Sequence, residues 1–312
     1  MYIIYIIARD MWKYRFKYSY VLLIAILVLS SCDKSVDEVI IISDEIPDNG
    51  TADYAFFGHT YRSNSAVDVR IEDLDLSIFD QIWLGGDICS ETTQDQSTIY
   101  YLDNLFGISQ ENTHFSLGNH DIRNGNVQWI TDVTQRPTYY TTSFNGITLM
   151  VLNTNFGYLG NYDTTQVNAQ FEMIENVCDT IENSSHLIIL SHHMVWGQID
   201  DLNDISDYAN GEHSNLLFQI GPNLNYFDGV FPKLQEVVAN GVKVVHIAGD
   251  LGQKEQYYEF ETPEGIQYLG SGITSEIPYN DQFPTAGEPD YFLLLHHDVD
   301  AKEIYWSFEV LD

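Results

Sequence analysis

Four short polar motifs each follow an apolar, β-rich run: Gly85-Gly86-Asp87, Gly118-Asn119-His120-Asp121, Ser191-His192-His193 and Gly249-Asp250. A fifth run ends in Gly58-His59-Thr60-Tyr61. In open α/β sheets, ligands bind beyond the carboxyl ends of the strands. Glycine ahead of the polar residue lets the chain turn sharply and lets other groups approach closely. Asp, Asn, His and Asp converging from four strand ends would make a set of hard oxygen and imidazole donors. Such a set suits a divalent cation, Zn, Mn or Fe. Plainer readings exist for each residue. Asp87 could cap a helix, Asn119 and Asp121 could form turns, and His120, His192 or His59 could be satisfied structural histidines. Asp250 could also be a turn or cap residue. His193 reads as a supporting residue rather than a ligand.

Periodicity indicates the elements that must carry these motifs. Runs 54–57, 81–84, 114–117, 147–152, 186–190 and 242–248 are short and β-rich. Several are nearly continuous in apolar character, as strands covered on both faces are. Helical spacing marks 97–106 and 165–183, the latter with Val167, Phe171, Ile174, Val177, Cys178 and Ile181 on one face. A third helix, 231–240, has Pro232 at its start and Gly241 just past its end. Strands alternating with helices predict an α/β layered fold. Runs 291–297 and 303–310 flank a turn at Asp298-Val299-Asp300-Ala301 and predict a closing antiparallel pair. His246, His296 and His297 read as structural. Residues 194–230 fit neither pattern. They are polar and rich in Asp and Asn, and read as an inserted loop that overhangs a site or as a plain surface excursion.

Over about residues 51–312 the chain resembles the calcineurin-like metallophosphoesterases. GGD at 85–87, GNHD at 118–121 and HH at 192–193, each after a strand, carry the resemblance. It implies a layered α/β/β/α sandwich with mixed β-sheets, and hydrolysis of a phosphomonoester or phosphodiester by a metal-activated water. On the matched positions it implies that Asp87 bridges two metals and that Asn119 and His192 bind the second. It places His120 by the scissile bond as general acid or transition-state stabiliser, oriented by Asp121. Two motifs depart from the family. Its opening Asp-x-His is here His59-Thr60-Tyr61, so His59 takes the Asp position with Tyr61 in the His position, or keeps the His role with the Asp lost. Its closing Gly-His-x-His is here Gly249-Asp250-Leu251-Gly252. An Asp lost and a His gained at one end, with the reverse at the other, roughly conserve charge. His59 and Asp250 therefore join the metal-ligand candidates, and Tyr61 or Gln253 could fill a lost place. One or two divalent ions (Mn, Zn or Fe) are the expected cofactors. Arg123 could meet a phosphate, an ordinary surface ion pair being the plainer reading, and Asn153 could line the site or cap a turn. The competing expectation is a non-catalytic surface lipoprotein of the same fold that binds a ligand or partner. Metal-assisted hydrolysis of another bond is a third.

The chain has 312 residues, with 13 Lys and Arg against 46 Asp and Glu, for a formal net charge of −33. Such a surface repels nucleic acid, so none is expected as a partner, and an anionic ligand would need a local positive centre. With so few Lys and Arg, a bound metal ion supplies one. Near the N-terminus, Lys13, Arg15 and Lys17 form a basic region and 21–29 a short apolar one, too short for a span of about 20 residues. Leu29-Ser30-Ser31-Cys32 resembles the lipobox of bacterial lipoproteins. By that resemblance 1–31 is a signal peptide, Cys32 is lipidated, 32–52 is a tether ending in a short strand-like run, and 53–312 is the domain. The expected location is the cell envelope, lipid-anchored outside the cytoplasm, with a small phosphoester as substrate. Cys89 and Cys178 could pair or stay buried and free.

Overall fold

The computed structural model describes residues 40–42, 50–61, 66–157, 163–197, 207–210, 225–273 and 289–312. Residues 1–31, read from the sequence as a signal peptide, and Cys32 lie outside them. Among the described residues, twelve strands form two mixed sheets. The five-stranded sheet has the order β12-β11-β2-β3-β4, with β2 Thr51–Phe57, β3 Gln81–Leu84, β4 Thr113–Phe115, β11 Tyr291–Asp298 and β12 Glu303–Val310. Its β2, β3 and β4 are parallel, and β11 and β12 run as the antiparallel pair expected of the tail. The seven-stranded sheet has the order β1-β5-β6-β7-β8-β10-β9. These strands are β1 Ile40–Ile42, β5 Tyr140–Phe144, β6 Ile147–Val151, β7 His186–Ser191, β8 Lys243–Ala248, β9 Tyr257–Glu261 and β10 Ile266–Ser271. Here β6, β7, β8 and β10 are parallel, while β5 runs antiparallel to β6 and parallel to β1, and β9 runs antiparallel to β10.

Alternation along β2 shows how the layers are set. Tyr54 and Phe56 point into the space between the sheets with Trp83, Leu293 and Leu295, facing Leu149, Val151, Ile188, Leu190, Val245 and Ile247. Ala55 and Phe57 point the other way, under α2 (Gln96–Phe106) and α4 (Gln128–Thr134), where Ile99, Leu102, Phe106 and Ile130 cover them. The outer face of the seven-stranded sheet lies under α5 (Thr164–Thr180) and α6 (Phe231–Ala239), through Val167, Ile174, Leu234 and Val237. The result is the layered α/β/β/α sandwich with mixed sheets. Two further short helices are α1 (Val69–Glu72) and α3 (Asn119–Ile122).

Several elements differ from the sequence reading. Helix α5 ends at Thr180, three residues early, where Ile181 turns extended ahead of the polar run Glu182-Asn183-Ser184. Asp163 caps its start, accepting from Thr165 N and Gln166 N. Ile40–Ile42 pair with β5 and β2 begins at Thr51, so the stretch read as a tether contributes to both sheets. The segment 194–230 is no plain excursion in its described parts. Trp196, Ala209 and Tyr226 are fully buried in the layer beneath α5 and α6. Cys89 and Cys178 are free, buried thiols, each pushed up to about 12 by burial. Among the described residues no helix is long and apolar enough to cross a membrane.

The two sheets meet backbone to backbone at one end. A Cβ on Gly58, just past β2, would lie 2.3 Å from Ser271 O and 2.5 Å from Gly249 Cα. A Cβ on Gly85, just past β3, would lie 2.9 Å from Gly249 Cα, and one on Gly249, just past β8, 2.2 Å from Gly85 O. No side chain fits between these strand ends, and backbone cannot rotate away as a side chain can. Gly249→Ala is therefore expected to cost roughly 2 kcal/mol or more and to lower the melting temperature by about 4–8 °C. Thermal unfolding checks this, and an unchanged melting temperature would contradict the close approach.

Candidate metal centre

The glycine seam delivers the polar residues that follow it. His59 (φ 43°) and Asp87 (φ 53°) occupy left-handed backbone, which costs a side-chain-bearing residue of order 1–3 kcal/mol and persists only where neighbours enforce it. His59 N donates to Gly86 O at 3.0 Å. Asp87 N donates to Asp121 Oδ2 at 2.7 Å. The fully buried Asp121 carboxylate also accepts from Gly118 N at 2.8 Å, Ile88 N at 3.1 Å and the Thr92 hydroxyl. One side chain thus ties the GGD turn to the GNHD turn. No room is left between them: a Cβ on Gly118 would sit 2.1 Å from Asp87 Oδ1.

These contacts fix Asp87. Its Oδ1 accepts from His120 N at 2.8 Å, and its Oδ2 lies 3.5 Å from His192 Nε2. His192 is fully buried and its Nδ1 lies 2.8 Å from Gly85 O. A carbonyl can only accept, so Nδ1 carries a proton in either charge state and, in the neutral ring, Nε2 bears the lone pair. That Nε2 has no hydrogen-bond partner and lies 3.9 Å from Asp250 Oδ1. Asp250 is held by its own backbone, its N donating to His192 O at 2.9 Å. Among the described residues, His192, His193 and Asp250 each offer a ligand atom, and those atoms lie within 4.8 Å of one another. His193, read as a supporting residue, is thus part of the cluster, with its Nδ1 2.7 Å from Thr154 Oγ1. His59 is buried nearby and its Nδ1 has no partner. Asn119 is half-buried as the first residue of α3.

Electrostatics explains what the pocket wants. Asp87, Asp121 and Asp250 are 2%, 0% and 4% exposed, a concentration of carboxylates that burial penalises. Burial pushes the Asp87 carboxyl up to about 7, with His192 opposing and Asp121 and Asp250 adding to the rise. Burial pulls His192 down, yet the carboxylates of Asp87 and Asp250 leave it raised overall. Burial pulls His59 down to about 4, so its ring is neutral at pH 7. The pair Asp87–His192 therefore holds a proton tightly where a cation would be equally welcome. A buried, partnerless imidazole nitrogen between two carboxylates, with its far nitrogen anchored on a carbonyl, fits a divalent metal ion.

Other assignments need correction. Asp121 does not orient the His120 ring, because its carboxylate is committed to the four donors named above. It positions backbone, and it is not a catalytic group by its contacts. The His120 ring meets Ser90 O (Nδ1, 3.0 Å), Tyr61 Oη (Nδ1, 2.9 Å) and Arg123 Nη1 (Nε2, 3.1 Å). Ser90 O only accepts and Arg123 only donates, so the proton is on Nδ1 and Nε2 is bare. Burial, with Arg123 adding to it, pulls this ring down to about 4. At neutral pH it has no Nε2 proton to give, so the ring does not fit the general-acid role, and the positive charge at this position is that of the Arg123 guanidinium against it. Tyr61 serves His120 through its hydroxyl. Arg123 forms the surface ion pair, with Glu91 at 3.0 Å, and also reaches Ser90 O. Asn153 Oδ1 accepts from Asn155 N and Nδ2, and lines a turn. The sequence reading missed Ser90, Thr92 and Thr154. Each acts through one hydroxyl or carbonyl oxygen, which leaves no motif.

No protein-family model matches the chain, and no curated protein matches it. Among solved structures it is similar to Vps29 complexed with Zn2+ from Entamoeba histolytica, at 10% identity and a TM-score of 0.32, covering 83% of this chain and 99% of that one. Likeness at that level transfers no role to this chain.

Protons compete with a cation for the Asp87–His192 pair. Falling pH refills the Asp87 carboxyl near 7 and keeps His192 charged, so affinity falls as pH falls. Calorimetric titration with Zn2+ or Mn2+ is expected to give binding about tenfold weaker at pH 6 than at pH 8. Equal affinity at both would contradict the assignment.

Proposed function

We propose that this chain is a metal-dependent phosphoesterase, hydrolysing a small phosphomonoester or phosphodiester. The observation that carries the reading is the buried, unpartnered His192 Nε2 between Asp87 and Asp250. His192, Asp250 and Asp87 would hold the ion, with His193, Asn119 and His59 around it. When bound, a divalent ion supplies Lewis acidity, which makes water nucleophilic near neutral pH and offsets phosphate charge. The chain's own residues do the rest. Asp121 fixes the two turns so that Asp87 cannot swing away. Arg123 places positive charge against the His120 ring, beside Asp87, where a departing oxygen would gain charge. Burial excludes bulk water from His192 and Asp250 and strengthens their field. The donors described serve one ion, of Mn, Zn or Fe type. A lipid on Cys32 would hold the domain at the cell envelope, outside the cytoplasm, and the acidic exterior keeps nucleic acid away.

Ligand binding without turnover is the second reading. One observation favours it: the His120 Nδ1 proton is already committed to Ser90 O, and the Arg123 guanidinium to Ser90 O, Glu91 and His120 Nε2.

Hydrolysis of aryl phosphate monoesters and diesters, assayed with Mn2+ or Zn2+ after chelation, separates the two. Activity is expected only with added cation. His192→Ala should lower it roughly 100-fold or more, and Asp121→Asn about tenfold through misplacement of Asp87. Cation binding without hydrolysis of any ester would establish the second reading.

A further inference from the structure

The metal cluster depends on a loop whose local backbone bonds, Asp250 N to His192 O, Leu251 N to Gly249 O and Gly252 N to Glu255 O, leave the Asp250 and Leu251 carbonyls and the Gln253 amide to be satisfied from elsewhere. Asp250 lies just past β8, and the chain then runs through Leu251, Gly252 and Gln253 with no regular structure. What grips this loop comes from the segment read as an insertion. Asn210 N donates to Asp250 O at 3.0 Å. Its side-chain Nδ2 donates to Leu251 O at 2.7 Å. Its Oδ1 accepts from Gln253 N at 2.7 Å. One residue thus satisfies three main-chain groups of the loop, one of them on Asp250 itself. The neighbouring Ala209 is fully buried in the core layer, and Tyr208 stacks edge-to-face on Tyr258 with ring centroids 5.0 Å apart, so the clamp is anchored rather than dangling. From below, Gly252 fits only because it lacks a side chain, since a Cβ there would lie 2.1 Å from Ile273 O.

We propose that Asn210 is a positioning residue for the metal centre, and that docking of residues 207–210 on the Asp250 loop is linked to cation binding. This rests on the reading of Asp250 as a ligand. Asparagine is the residue the geometry needs, because its side chain must donate to one carbonyl and accept from one amide at once. Outer contacts that orient ligands typically change metal affinity 10–100-fold when removed. Linkage is reciprocal: if the docked clamp favours the cation by some factor, the cation favours the docked clamp by the same factor.

Calorimetric titration with Zn2+ of the full chain, Asn210→Ala and Asp250→Asn, together with hydrogen exchange of the wild type, tests this. Asn210→Ala should bind about tenfold more weakly, and a Co2+-loaded sample should show a shifted visible absorption band, which mere loss of stability would not produce. Cation should slow exchange of the wild-type Asn210 and Gln253 amides by about tenfold. Asn210→Asp, which keeps the acceptor and sets a carboxylate oxygen against Leu251 O, should weaken binding to a similar degree and serves if the alanine variant does not fold. Wild-type affinity in the Asn210 variants alongside loss in Asp250→Asn would overturn the clamp, as would amide exchange unmoved by cation. A wild-type chain that binds no cation would overturn the metal reading instead.

Discussion

Close approach of three backbones governs this molecule. Gly58, Gly85 and Gly249 end strands from both sheets and touch without side chains between them. Because they touch, the residue that follows each one is delivered into the same buried volume: His59, the Gly86-Asp87 turn and Asp250. Everywhere else the sheets are separated by large side chains such as Tyr54, Phe56 and Trp83. The sandwich is thus thick through its middle and pinched at one end, and the polar residues collect at the pinch.

The pinch creates an electrostatic problem that the fold does not solve with Lys or Arg. Three buried carboxylates share the volume. One of them, Asp121, is neutralised in effect by four hydrogen-bond donors and spends itself on architecture. The other two face His192, whose protonation or replacement by a metal ion balances them. Strained backbone at His59 and Asp87 is held against its cost by the same network. These features go together, because a left-handed aspartate with a desolvated carboxylate has no stabilising use in an apolar core.

Much of this was legible in the sequence because glycine followed by a polar residue after an apolar run has a local physical cause. GGD, GNHD and GD lie at one end of the sandwich for that reason, and HH joins them after Ser191 without a glycine. The α/β layering was legible from helices alternating with strands too continuously apolar to face water, whereas the α/β/β/α order was implied by the family resemblance. What was not legible depends on distant partners. β5 and β10 carry polar residues such as Thr141, Thr142 and Gln267, buried by neighbours that no local pattern announces. The role the resemblance implied for Asp121, orienting His120, does not hold, because the Asp121 carboxylate is committed to Asp87 N, Ile88 N, Gly118 N and the Thr92 hydroxyl. Tyr61, weighed as a substitute ligand, instead meets the His120 ring, and Arg123 makes the surface ion pair that was its plainer reading while also reaching that ring. Asn210 carried no signal, being 40 residues from the loop it grips.

The central claim is that the pinched end of the sandwich holds a cation between Asp87, His192 and Asp250. Anomalous X-ray scattering from crystals grown with Zn2+ addresses it most directly. The account predicts a peak roughly 2.0–2.2 Å from His192 Nε2 and from a carboxylate oxygen of Asp250 or Asp87. Anomalous signal confined to surface carboxylates, with His192 Nε2 still facing only Asp87 and Asp250, would contradict it.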